Sequence, residues 1–227
     1  MFFSKAILSR EALGQDRNWE LATNGYRAHQ LVWSLFSDRD DRDRDFIFRW
    51  ETHHRRPILY TVSSRHPQDA HSYFNELHSK PYDPSLHPGQ PLAFALRANA
   101  VVKKRDDQGK QKVHDVVMNA KYEMRQRGQW EDRDLTHAQL VHREGLKWLQ
   151  RRQDQYGFTL NTDQVVTESY ERHAFKKPGT NRRVVIATID YRGQLQVAHP
   201  PRLIKALFEG VGPSKAFGCG LMMVRPI

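Results

Sequence analysis

One order of elements occurs twice along the chain, and it limits the fold more than any other feature. In the first half, Phe2 to Arg10 reads as a strand, and Gly25 to Phe36 follows a helical period. Phe46 to Trp50 and Ile58 to Val62 read as strands, Asp69 to His78 as a short helix, and Leu92 to Asn99 as a strand. In the second half, Val113 to Met118 is a strand candidate and His137 to Tyr156 a helix. Phe158 to His173 and Arg183 to Asp190 read as strands, Pro200 to Glu209 as a helix, and Leu221 to Val224 as a last strand. Strand, helix, strand, strand, helix, strand is the split βαβ, ferredoxin-like unit. The expected fold is therefore α+β: two tandem ferredoxin-like (RRM-like, βαββαβ) units. They are expected over 1–101 and 112–227, joined by a linker at 102–111. The second carries an inserted polar loop over 121–136 and a basic hairpin over 174–183. A chain of 227 residues has room for both.

Hydrophobic residues make up 38% and aromatics 11%, which excludes a disordered chain. The net charge of +10 favours a polyanionic partner such as nucleic acid. No apolar run approaches the ~20 residues that span a bilayer, and the start lacks the long apolar centre of a signal peptide. The sequence thus predicts a cytoplasmic protein with no membrane partner. Its single cysteine, Cys219, excludes an intrachain disulfide and a cysteine-based zinc site. There is no His-Glu-x-x-His and no Cys-x-x-Cys, so no metal and no cofactor are expected.

Along the helix Gly25 to Phe36, residues Ala28, Leu31, Val32 and Leu35 share one face and form a core stripe. Tyr26, His29 and Trp33 group on a neighbouring flank, with Tyr26 and His29 one turn apart. Spacing alone fits half-buried aromatics beside a surface histidine. It also fits a phenol and an imidazole poised for proton transfer. Asp38 to Asp45 mixes both charge signs and reads as a solvated loop without chemistry.

In the second half, Arg143, Lys147 and Arg151 recur every four residues and form one basic stripe. Lys176, Lys177, Arg182 and Arg183 crowd a turn without an acidic residue. Such groups serve as phosphate contacts, although a charged stripe is also an ordinary solvated face. The tail from Gly210 to Gly220 is neither a Walker loop nor a Gly-x-Gly-x-x-Gly fingerprint. It reads either as a sharp turn into the last strand or as a phosphate cradle built from Lys215 and the backbone of Gly212, Gly218 and Gly220. The aromatic sheet signature of RNA-recognition motifs is absent, so base stacking on that sheet is not expected.

These blocks, taken in order, resemble the CasE-type CRISPR RNA endoribonucleases, the repeat-cleaving subunits of type I-E Cascade. The resemblance rests on Met1-Phe2-Phe3-Ser4-Lys5, Tyr26-x-x-His29-x-x-x-Trp33-x-Leu35-Phe36 and Phe46-Ile47-Phe48. It continues through Leu96-Arg97-Ala98-Asn99 and Gly212-Pro213-Ser214-Lys215-Ala216-Phe217-Gly218-Cys219-Gly220-Leu221, and so spans the chain. It departs from the family's pattern at Ala100, where a proline often follows, and in the longer polar stretch over 121–136. The resemblance implies metal-independent cutting of a CRISPR repeat transcript at the base of its stem-loop. It further implies retention of the hairpin in Cascade beside a backbone subunit. Independently of it, RNA supplies its own nucleophile, the 2′-OH, and needs only alignment and proton transfer. His29, with an ordinary pKa near 6.5, suits that task, and Tyr26 lies within reach to share it. A cleavage-deficient RNA-hairpin subunit and a basic DNA-binding protein are the alternatives. Both Tyr26 and His29 are present, which disfavours the first, and no helix-turn-helix is recognisable, which disfavours the second.

Overall fold

In chain order the elements are β1 (Phe2–Leu8), α1 (Arg10–Gly14), α2 (Gly25–Ser34), β2 (Phe46–His53), β3 (Arg56–Ser63) and β4 (Phe74–Pro81). Then come β5 (Pro91–Ala98), β6 (Val101–Arg105), β7 (Gln111–Asp115), α3 (Val116–Gln126), α4 (His137–Gln150) and α5 (Gln153–Tyr156). The chain closes with β8 (Phe158–Lys176), β9 (Arg183–Val197), α6 (Pro200–Glu209), a short 3-10 helix (Lys215–Phe217) and β10 (Met222–Pro226). This computed structural model describes residues 1–14, 25–36, 43–54, 56–128, 135–176 and 183–227, with 13–14, 25–27, 175–176 and 183 described in backbone only.

Two four-stranded antiparallel sheets result, ordered β2-β3-β1-β4 and β10-β5-β9-β8. Both follow the ferredoxin-like order, with the first strand of the unit in the interior beside the third and fourth. Three local expectations are corrected. The predicted helix over 69–78 is a turn followed by β4. Asp69 accepts the backbone N–H groups of Tyr73 and Phe74 at 3.0 and 2.8 Å, a local alternative that competes with helix formation, and β4 then pairs along β1. The strand over 92–99 was expected to close the first unit. It is β5, paired with β9 and β10 in the second sheet, because the loop after β4 carries the chain across. The expected linker over 102–111 falls largely within the hairpin β6–β7, closed at Asp106, whose carboxylate accepts from Gln108 and Lys110. The polar stretch over 121–136 begins inside α3, which Asp115 caps by accepting from Met118 N–H at 2.7 Å.

Alternation along β2 sets the layers of the first unit. Phe46, Phe48 and Trp50 join Ala28, Val32, Leu35 and Phe36 in one core. Ile47 points the other way, into a cluster with Val62 and Leu221 of the second unit. The larger core of the second unit lies between its sheet and α4 and α6. Gly145 lets α4 approach β9 closely: a Cβ there would stand 3.1 Å from Ile189 Cδ1 and 3.2 Å from the Tyr191 hydroxyl.

The two units are tied by charge as well as by apolar contact. Arg97 of β5 grips Asp190 of β9 through two bonds of 2.8 Å and donates to the Trp50 carbonyl of β2 at 3.0 Å. Arg49 of β2, 2% exposed, stands 3.8 Å from the same carboxylate. Burial alone would raise the pKa of Asp190, but Arg97 and Arg49 hold it below the usual carboxylate range.

Beyond the Ala98–Ile189 pair, β5 ends and β8–β9 continue alone as a two-stranded ribbon out to Lys176–Arg183. Among the described residues no helix is long and apolar enough to cross a membrane.

Candidate active site at the junction of the two units

Helix α2 buries Ala28 and Val32 and turns His29 and Trp33 to its flank, half-buried. The turn that follows buries Leu35 as well. The Trp33 indole N–H donates to His29 Nε2 at 2.9 Å, and the rings meet edge to face with centroids 6.0 Å apart. Trp33 is itself held edge-on against Phe46, 5.1 Å away. The tryptophan that the sequence placed on this flank is thus the direct partner of the histidine. The side chain of Tyr26 lies outside the described residues; its backbone sits one turn before His29.

α2 packs against the Lys215–Phe217 turn and against β8. Burial lowers the pKa of His29, the Ala216 backbone pulls the other way, and the cation of Arg44 lowers it again. Lys215 is lowered by burial and by Arg44, with Glu209 opposing. Arg44 thus acts on both groups, although the sequence assigned its loop no chemistry. Its neighbour Asp45 fixes the end of that loop. The Asp45 carboxylate takes two bonds from Arg65, at 2.6 and 2.9 Å, and one from Ser64, which holds its pKa down at about 2. Arg65 also donates to the Phe36 carbonyl just beyond α2. Loop, helix and strand end are locked together beside His29.

The glycine-rich tail acts through its shape. Gly212, at φ 78° and with Trp148 3.0 Å from a would-be Cβ, has no room for another residue. Its N–H donates to the Tyr156 hydroxyl at 2.9 Å, that of Gly220 to the Arg97 carbonyl at 2.7 Å, and that of Gly218 to the Lys215 carbonyl at 3.4 Å. These three donors are engaged within the protein. Ser214 enters the turn at φ 62°, held by Asn99, which donates to its hydroxyl at 2.6 Å.

The basic stripe of α4 is partly neutralised. Arg143 and Lys147 both donate to Glu144, at 2.7 and 3.1 Å. Lys147 and Arg151 line a groove of about 700 Å³ between α4, the β6–β7 hairpin and Gly212–Ser214. Arg143 is not among its lining residues and leans toward Met124 of α3. Lys177 and Arg182 lie outside the described residues, and Lys176 and Arg183 are placed by backbone alone at the end of the ribbon. Among the described residues no group of three or more His, Cys, Asp or Glu side chains converges.

The chain thus sets a histidine at the junction of two ferredoxin-like sheets. The family described as CRISPR associated protein matches residues 1–226, and the chain belongs to it. Among curated relatives, the CRISPR system Cascade subunit CasE of Escherichia coli is 26% identical over 229 residues, covering 100% of both chains. The CRISPR-associated endoribonuclease Cse3 of Thermus thermophilus is 26% identical over 241 residues, again covering 100% of both. A solved structure of CRISPR endoribonuclease Cse3 bound to 19 nt RNA superposes with a TM-score of 0.70 at 26% identity over 100% of each chain.

Proposed function

We propose that the chain is a metal-independent endoribonuclease that cuts CRISPR repeat transcripts at the base of the repeat stem-loop to give mature crRNA. It keeps the product hairpin and serves as a cytoplasmic Cascade subunit beside a backbone subunit. The reading rests on one observation above all. A half-buried histidine with lowered proton affinity stands at the junction of the two units, beside Arg44 and the Lys215 turn. α2, which carries it, also packs on β8, the strand that runs out into the ribbon.

In this mechanism the RNA 2′-OH attacks the adjacent phosphate. His29 transfers a proton, Tyr26 positions the reacting groups or shares that work, and Lys215 and Arg44 offset the charge that builds on the phosphate. The products are a 2′,3′-cyclic phosphate and a 5′-OH. Arg143, Lys147, Arg151 and the basic ribbon end with Lys176, Lys177, Arg182 and Arg183 hold the hairpin by its backbone, since an A-form major groove is too deep and narrow to read. Single-turnover cleavage of a labelled repeat hairpin by His29→Ala tests the reading. The expected rate loss is about 10²–10⁴-fold with hairpin affinity retained; full activity would remove His29 from the chemistry.

A further inference from the structure

The indole N–H of Trp33 is a donor with no acceptor capacity. A ring nitrogen that accepts from it carries no proton. Nε2 of His29 accepts it at 2.9 Å, so in the neutral ring the proton sits on Nδ1. Nδ1 is buried and meets no partner in good hydrogen-bond geometry among the described residues, while the Ala216 backbone acts on the ring in favour of its protonated form. The half-buried ring therefore closes one nitrogen off from solvent and occupies the other with Trp33. Any reacting group that engages His29 must do so at Nε2, in the indole's place.

We propose that Trp33 is a positioning residue for cleavage: in the free protein its indole N–H holds His29 in the Nδ1–H tautomer, so that Nε2 keeps an unprotonated lone pair for the reacting oxygen of RNA, which takes it over from the indole. The proposal rests on the reading of His29 as the proton-transfer group and sharpens it, because a bare Nε2 enters the reaction as a base. In that step the 2′-oxygen forms its bond to phosphorus as its proton passes to Nε2. The ring becomes a cation with both nitrogens protonated. The bond from phosphorus to the 5′-oxygen breaks, that oxygen takes a proton from water, and the hydroxide left behind takes the proton from Nε2, which restores the neutral ring. Phe46 meets the Trp33 ring edge to face, centroids 5.1 Å apart, and so orients the indole N–H toward His29 in the free protein.

The sign of the pH effect follows. Donation to Nε2 favours the neutral ring, so it adds to the lowering by burial, and its loss raises the proton affinity of His29. Other charges act on the ring as well. Arg44 acts on both the ring and Lys215, and Tyr26 precedes His29 on α2. β8, also packed on α2, carries Glu168, Tyr170, Glu171, Arg172 and His173 along its outer half. None of these is altered by a change confined to the indole nitrogen.

The test replaces Trp33 in the full chain with its isostere β-(3-benzothienyl)alanine, which keeps the bicyclic ring and lacks the N–H; Trp33→Phe is the genetically encoded companion. Nitrogen-15 NMR of the free protein should show wild-type His29 as the Nδ1–H tautomer and the isostere variant shifted toward Nε2–H. The acid limb of the pH profile taken at subsaturating protein, which reports the free protein, should move up by about 0.5–1 pH unit, the value of one net hydrogen bond. The plateau rate should fall by about 10-fold through lost alignment, with hairpin affinity unchanged. A wild-type ring protonated on Nε2, or a tautomer and acid limb that ignore the isostere, would reduce Trp33 to core packing. The NMR result decides this independently of cleavage, so failure of His29 as catalyst, seen in His29→Ala, is a separate outcome.

Discussion

Helices α2 and α4 hold the same topological place, each between the first and second strands of its ferredoxin-like framework. Both bury an apolar stripe: Ala28 and Val32 in α2, and Leu140, Val141 and Leu149 in α4. They differ on the neighbouring flank. That of α2 is half-buried and carries an imidazole hydrogen-bonded to an indole, with its proton affinity lowered by burial. That of α4 is wetter, with Arg143 and Lys147 about 40% and 49% exposed, sharing one carboxylate. Under the proposed function, burial is what separates proton transfer from phosphate holding on one scaffold. A drier flank retunes a titratable group, whereas a wet one leaves cations at full charge and screened by salt.

That contrast can be broken at the junction that holds both flanks in register. Asp190→Asn leaves the buried Arg49 and the half-buried Arg97 against a neutral amide. It should cost about 3 kcal/mol of stability, read as a lower urea midpoint with unchanged slope, and cleavage should fall with it. A loss under about 0.5 kcal/mol, the range of neutral surface changes, would mean that the apolar cluster of Ile47, Val62 and Leu221 suffices.

The wet flank should govern affinity alone. Replacing Lys147 and Arg151 together with Ala should weaken hairpin binding by about 10-fold and flatten the plot of log K against log salt by roughly 1.5, about 0.7–0.9 per lost phosphate contact. Bound RNA should still be cut at the wild-type rate. An unchanged slope would return the stripe to an ordinary solvated face.

The smallest effect belongs to the clamp beside Arg44. The folded-state pKa of Asp45 is depressed from 3.8 to about 2, so its stabilisation is present above the ordinary value and lost as pH falls through about 2. Asp45→Asn should therefore cost about 1 kcal/mol at pH 7, discounted for partial exposure, and the gap to wild type should close in acid. Thermal melts from pH 7 down to about 2 check this; a gap as large at pH 2 as at pH 7 would remove Asp45 as its source.

The sequence carried the tandem ferredoxin-like fold class, the α2 core stripe and the α6 boundaries, because local periodicity, Pro200 and Gly210 mark them. Sheet membership was not legible. The apolar run of β5 announces a strand and says nothing of which neighbours pair with it. The turn at Asp69 was hidden as well, since a single side chain bonding two backbone N–H groups has no periodicity. At the site, His29 and Trp33 stood out by spacing on one helix. Arg44 did not, because only the Asp45–Arg65 lock, made between residues 20 apart in sequence, sets it beside the histidine. The glycines of the tail signalled a sharp turn correctly, but where their N–H groups go depends on Arg97 and Tyr156, far away in the chain.

The central claim is that RNA supplies the nucleophile and the α2 flank moves its proton. The most direct test uses two repeat hairpins in excess EDTA, identical except for a single 2′-deoxy nucleotide before the scissile phosphate. The all-ribose hairpin should be cut to a 2′,3′-cyclic phosphate and a 5′-OH end, while the 2′-deoxy hairpin should bind with the same affinity and remain intact. Cleavage of the 2′-deoxy hairpin, or a strict magnesium requirement with a 3′-OH product, would contradict the account.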